Sequence, residues 1–442
     1  MTMFSTLIRF TQEKTKYLYD NSLFLQNVDK LIFASIVAVF LSSTVMSSDI
    51  IGFIALITVF LTVIKILTKP NEKLDCKTFE LWLLAYFMIV IISLAGSTLF
   101  HLSLKGFFKT FTYLAFYLAM VQYLKSNKNK LPYVLAAIGI CVSFEAVIGF
   151  LQNFSHVEEI SGWQDVSHLN PEQVMTRVYG TLKPYNPNLL GGYFVAGIPA
   201  LFGLAGYLLV DKKYKYSIVS LICALFSTMT LFLTGCRGSY IGMTVILAGM
   251  FAVSAKFLWN NYKQIYLSAL GGVVAIATSA IMLVTSLRAR VLSMFAMRQD
   301  SSNSFRFNVY HSSIEMFKDN WLLGIGVGNQ NFREIYGLYM KTGFDALSSY
   351  NIFLEIAVES GVFALIAFMG FLITLIKNSI NFILKSTDAK AVIIASAAII
   401  SIIAVCIHGL VDTVFFRPQI QFIFWAMVAV ARTLIFTTDN RL

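Results

Sequence analysis

The chain has 442 residues, of which 57% are hydrophobic and 13% charged, whereas soluble domains carry roughly 25% charged residues. With 39 Phe, 20 Tyr and a mean hydropathy of +0.72, most of it is suited to the bilayer rather than to water, which sets soluble enzyme folds aside. The net charge of +11 then has to be read loop by loop against membrane topology, and no nucleic-acid partner is expected.

The first 30 residues are polar and mixed in charge (TQEKTKYLYDN), without the apolar stretch of a cleaved signal peptide, so 1–30 is expected to stay as a cytoplasmic segment. Twelve apolar runs of bilayer length follow, at about 31–47, 50–68, 80–99, 106–124, 131–151, 189–210, 217–235, 240–259, 264–286, 349–377, 391–413 and 418–436. The run from 349 is long enough to hold an outer amphipathic segment before its span. The expected fold is all-α: a polytopic bundle over 31–436 with about twelve transmembrane helices and a short cytoplasmic tail at 437–442.

With both termini inside, 21 of the 34 Lys and Arg fall on inner segments. Nine of the outer thirteen lie in two long loops, 152–188 and 287–348, which translocate largely regardless of charge. Short outer connections keep only Lys105, Lys109, Arg237 and Arg417. The chain thus reads as an inner-membrane protein with two periplasmic loops, and loops of that length commonly carry function. In the second, Phe307, Val309, Tyr310, Ile314 and Phe317 fit one helical face, so a short surface helix is expected there.

Five cysteines (Cys76, Cys141, Cys223, Cys236, Cys406) show no C-x-x-C spacing, and the five histidines gather no metal-ligand pattern. Neither a metal nor a cofactor is expected. In 233-LTGCRGSYIG-242, Arg237 stands between two spans, flanked by Gly235 and Gly238, which permit a tight reversal. Its guanidinium can grip an oxyanion in two-pronged fashion, aided by the start of a helix near Ser239; the competing reading is an arginine snorkelling to head groups.

Arg306 opens the surface helix, an unfavourable place for a cation on the helix dipole unless something holds it. His311, five residues on, is a weaker candidate base. Gly324, Gly326 and Gly328 set a turn, for no strand precedes them and no Lys-Ser/Thr follows. Asn188 is read as capping the helix after Lys183-Pro184, Glu145 as an acid too costly to bury without a role, and His408 with Asp412 as a pair one helical turn apart.

Taken in order, L-T-G-C-R-G near 234, S-x-S-F-R followed by L-L-G-I-G-V-G-N-Q-N-F, and Y-N-I-F-L-E-I-A-V-E-S-G at 350–361 resemble the O-antigen ligase and polymerase superfamily over roughly 130–430. The resemblance implies transfer of a glycan from an undecaprenyl diphosphate carrier to a periplasmic acceptor, with membrane lipid and the lipid-linked glycan as partners and Arg237 and Arg306 on the diphosphate. Ligases of that superfamily carry His-Asn where this chain has Tyr350-Asn351, and Tyr, with an ordinary pKa near ~10, is a poor base at neutral pH. Glu145 is then the alternative activating group.

The same Tyr350, with 408-HGLVDTVFFRPQIQF-422, is similar to a cyanobacterial branch to which bicarbonate transport has been attributed. Two functions follow: a glycosyltransferase in which the arginines stabilise a departing diphosphate, and a small-anion transporter in which they receive bicarbonate. Ionisable residues cluster toward one face while most spans are apolar at mid-depth, which favours the transferase.

Overall fold

The computed structural model describes residues 2–155, 177–296 and 301–436. The expected tail at 437–442 and parts of both long loops, 156–176 and 297–300, lie outside these residues. The described chain is all-α.

The polar N-terminal segment is a helix, α1 (Thr2–Asn21), followed by one turn, α2 (Leu23–Gln26). It lacks a long apolar run, but Ile8 is buried and Gln12 Nε2 donates to the carbonyls of Ile66 and Glu72, so α1 lies across one end of the bundle. Then come α3 (Val28–Val45), α4 (Ser48–Thr68), α5 (Glu80–Gly96), α6 (Phe100–Leu124), α7 (Leu131–Gln152), α8 (Pro187–Val210), α9 (Tyr214–Leu233), α10 (Arg237–Leu258) and α11 (Lys263–Leu283). The second long loop folds into α12 (Thr285–Ser293), α13 (Ser301–Asp319) and α14 (Asn329–Tyr336), and α15 (Ile352–Lys385), α16 (Ala389–His408) and α17 (Pro418–Ile435) complete the chain. Proline opens α8 and α17, where its missing N–H is not needed.

Each of the twelve expected runs holds a helix, but among the described residues ten helices are long and apolar enough to cross a bilayer. The other two fall short for different reasons. Helix α5 has 17 residues, and α6 carries Lys105, Lys109, Gln122 and several hydroxyl side chains that dilute its apolar character.

Helices α8, α16 and α17 form the centre. Small residues let them approach: a Cβ built on Gly203 would lie 2.4 Å from the Ala397 Cβ, and Ser401 Oγ donates to the Ala196 carbonyl at 2.6 Å. At the end away from the long loops, Arg432 is 2% exposed and binds Asp75 at 2.5 Å and Glu80 at 3.1 Å, with Tyr117 donating to the same Glu80.

Helix α15 is broken at Gly361, whose φ of 79° is open to glycine and costly for other residues. The 321–328 segment fills the break: Val362 N–H donates to the Trp321 carbonyl, while Ile325 and Gly326 N–H donate to the Val358 and Glu359 carbonyls. The glycines at 324, 326 and 328 all have positive φ, so the sequence L-L-G-I-G-V-G builds a plug for the broken helix rather than a nucleotide loop. The nine residues before Gly361 form a separate helical segment whose residues are all buried or half-buried.

Candidate functional site

The chain reverses between α9 and α10 at Gly235, with φ of 61°. The buried carbonyls just past the end of α9 are bonded by two guanidinium groups: Arg177 Nε donates to Thr234 O and Arg290 Nε to Gly235 O, both at 2.8 Å. Cations suit this helix terminus. Arg237 is the first residue of α10, two positions before the expected start, and is buried; its Nη1 donates to the Ser293 carbonyl at 3.2 Å and hydroxyl at 3.1 Å, joining α10 to α12.

Arg306 lies in the second turn of α13 rather than opening it, because the helix begins at Ser301. The argument from an unfavourable first-turn cation therefore does not hold. What holds Arg306 is Asp412, whose Oδ2 is 3.8 Å from Nη2, and the ring of Tyr350, 5.9 Å from its guanidinium carbon. Its Nε is buried without a hydrogen-bond partner. Arg237 and Arg306 line one cavity of about 270 Å³, together with Gly238, Asn303, Tyr310 and Val411.

Charge in this region is unbalanced toward the positive. Burial, and to a lesser degree the Arg237 charge, holds the Arg177 guanidinium below its usual range. Burial with the neighbouring Arg177 and Arg237 brings Arg290 down to about 10. Both shifts state that these cations are crowded and poorly solvated, a condition that an anion relieves.

Asp412 is the counter-charge. It sits in the turn after α16, which ends at His408, so the expected pairing along one continuous helix face is not formed. Its Oδ1 accepts from the Thr413 and Val414 amides, and its Oδ2 accepts from Asn188 Nδ2 at 3.1 Å. The helix cap at α8 is Asn186, not Asn188; the Asn188 side chain instead joins Arg177 to Asp412.

Cys236, His408 and Asp412 place one potential ligand atom each within 4.8 Å of one another, a cluster that spacing along the sequence could not reveal. Cys236 Sγ is 3.7 Å from His408 Nε2. Burial acts to raise the Cys236 thiol, but the contact with His408 outweighs it and the net direction is downward. The set is a poor fit for a dication, since both Asp412 oxygens already accept hydrogen bonds and a guanidinium stands 3.8 Å away.

Four further candidates lie off the cavity. Both Glu145 oxygens accept from Thr181, from its amide at 2.9 Å and its hydroxyl at 2.6 Å, so this buried carboxylate anchors the segment leading to α8. His311 is exposed on the other side of α13. Asn351 caps α15 through the Phe353 and Leu354 amides and donates to the Leu410 carbonyl. Tyr350 abuts Arg306 without lining the cavity, and burial followed by the Asp412 charge pushes its phenol up. Sequence reasoning missed Arg177, Arg290 and Ser293; the available signal was the density of arginine in the two long outer loops.

Residues 222–369, which run from the middle of α9 to the middle of α15 and hold Arg237, Arg306 and Tyr350, match the family model described as O-antigen ligase. No curated protein matches the chain significantly.

Proposed function

We propose, from the premise that residues 222–369 are an O-antigen ligase domain, that this multi-pass membrane protein transfers a glycan from a polyprenyl-diphosphate carrier to an acceptor on the periplasmic face of the inner membrane. In this reading both termini are cytoplasmic. The observation that carries it is Arg306, which lines one cavity with Arg237 and whose buried Nε has no hydrogen-bond partner. An unsatisfied buried donor costs about 1–3 kcal/mol, and a diphosphate oxygen would satisfy it.

The chemistry asked of the site is small in parts. The bond from the sugar C1 to the diphosphate oxygen breaks, the acceptor hydroxyl oxygen bonds to C1, its proton leaves to water, and polyprenyl diphosphate departs. Negative charge grows on the leaving oxygen, where Arg237 and Arg306 sit already desolvated and oriented by Ser293 and Asp412. The lining holds Asn303 and Tyr310 but no carboxylate or imidazole, so catalysis rests on departure of the leaving group rather than on a strong base.

The test is transfer in vesicles with a lipid-linked glycan donor, with donor binding measured separately. Arg306→Lys keeps the charge and loses the planar fork, so turnover should fall by about 10²–10³, as for loss of one preorganised donor. Unchanged transfer and binding in both Arg306→Lys and Arg306→Gln would remove the proposal. Uptake of labelled bicarbonate by vesicles that show no transfer would replace it with anion transport.

A further inference from the structure

A second and larger cavity, about 910 Å³, opens at the same end of the bundle, between the start of α4, α6, the turn at Gly328–Gln330 and the start of α17. It shares no lining residue with the first cavity. Three of the four basic residues on the short outer connections, Lys105, Lys109 and Arg417, converge on it, against a single carboxylate, Asp49. None of the three cations makes an ion pair among the described residues. Burial holds the Arg417 guanidinium below its usual range.

The arrangement is built rather than incidental. Gly106, between the two lysines, is pressed against the plug: a Cβ there would lie 2.4 Å from the Val327 carbonyl oxygen. That contact fixes Lys105 and Lys109, one turn apart on α6, beside the first turn of α14, whose cap Gly328 offers no side chain to its amides. Polarity then changes with depth. Going inward along α4 the wall runs from Asp49 to Phe53 and Leu56, and along α6 from Lys109 to Tyr113. Phe53 and Phe108 are exposed on the outside of the bundle, where an apolar chain could lie against them.

We propose that this cavity binds the phosphate-bearing headgroup of a membrane lipid, with Lys105, Lys109 and Arg417 on the phosphate and the hydrocarbon chain along the Phe53, Leu56 and Phe108 side. A soluble anion would use the three cations but gain nothing from the apolar wall beneath them; an anionic amphiphile uses both. The assignment stands apart from that of Arg237 and Arg306 and does not depend on transfer activity.

The experiment is photolabelling of the full chain in vesicles with phosphatidylglycerol carrying a diazirine on its acyl chain, followed by peptide mapping. Labelling should concentrate on 48–56 and 102–113. It should fall roughly tenfold in Lys105→Gln/Lys109→Gln/Arg417→Gln, the equivalent of about 1.4 kcal/mol, and return in Lys105→Arg/Lys109→Arg/Arg417→Lys. If the triple Gln protein does not fold, Lys109→Gln alone must still lower labelling. Equal labelling by the phosphatidylcholine analogue, or labelling indifferent to the three charges, would overturn the proposal. Displacement of the probe by inorganic phosphate would reassign the cavity to a soluble anion.

Discussion

Helices α16 and α17 and helices α10 and α11 are similar in length and apolar content, yet they sit in opposite surroundings. Of the most apolar stretch, 94% of residues are buried in α17 and 78% in α16, against 17% in α10 and 6% in α11. The first pair is enclosed by α8, α6 and α3, while α11 touches little besides α10 and α12. Apolar character alone cannot separate the two cases, because in a membrane protein lipid and protein interior ask for the same side chains.

The cavity of Arg237 and Arg306 lies on the seam between these regions. Arg237 opens α10 at the buried end that packs on α16, and Ser293 and Arg306 come from the second long loop, whereas Asp412, Asn188 and His408 come from the centre or its edge. A region with few buried contacts opens at low cost, and one with many does not. The carboxylate and amide are therefore held rigidly, and Ser293, on a helix without a buried residue, is the partner freest to move.

The comparison breaks most visibly at the buried ion cluster of the centre. Arg432→Met leaves Glu80 without its cation and Asp75 with Lys77 alone, and loss of one partner from such a cluster costs about 3–5 kcal/mol. Thermal unfolding of the detergent-solubilised protein should show it. The pH dependence is also fixed in sign. Burial acts to raise the Asp75 carboxyl, but Arg432, with Lys77, outweighs it and the folded-state value lies below the ordinary 3.8. Its contribution is present above that ordinary value and lost as pH falls through the lower folded one, so the wild type should lose stability in acid by a larger step than Arg432→Met, which keeps Lys77 on Asp75.

The next effect belongs to the seam. Crowded guanidiniums without an anion should be stabilised by inorganic pyrophosphate, by about 2.7 kcal/mol at a hundredfold excess over its dissociation constant. The shift in melting temperature should shrink in Arg306→Gln and stay in Lys318→Gln, which removes an exposed cation paired only with Glu315. No shift in the wild type would mean that the cation crowding is satisfied from within.

Much of the fold was legible because apolar runs of bilayer length have one interpretation, and even the break in α15 left its mark as an overlong run with a plug of glycines upstream. The N-terminal helix α1 was hidden because an amphipathic helix carries its signal in spacing rather than in hydrophobic content. At the site, Arg237 and Arg306 stood out as charges at the ends of apolar segments. Arg177 and Arg290 did not, since they act through carbonyls of α9 that lie 57 and 55 residues away along the chain. Glu145 is the opposite case: a buried acid demands partners, and Thr181, 36 residues further along the chain, supplies them.

A smaller contrast uses one substitution in both regions. On α11, a Cβ at Gly272 meets nothing within 4 Å, so Gly272→Ala should stabilise the helix by about 0.5–1 kcal/mol through reduced chain freedom. On α8, the same change at Gly203 drives a methyl to 2.4 Å from Ala397 and should destabilise by roughly 1–3 kcal/mol. Equal effects at the two sites would mean that α11 is covered in the membrane as tightly as α8 is in the bundle.

The smallest expected effect is at Tyr350, where the superfamily's ligases place histidine. The phenol is pushed above its ordinary value of 10 by burial and by the Asp412 charge, with Arg306 opposing only in part, so it stays protonated through neutral pH and cannot accept a proton from an acceptor hydroxyl. What it offers Arg306 is the ring, 5.9 Å from the guanidinium carbon, and phenylalanine offers nearly the same face. Tyr350→Phe should therefore change turnover by less than about threefold, within the ~0.5–1 kcal/mol of an exposed cation–π contact, and leave the pH–rate profile between roughly pH 6 and 9 unmoved. Tyr350→Ala removes the ring and should weaken donor binding while turnover at saturation holds. A large loss of turnover in Tyr350→Phe with donor binding intact would make the hydroxyl catalytic, and the seam would then contribute a proton acceptor as well as charge.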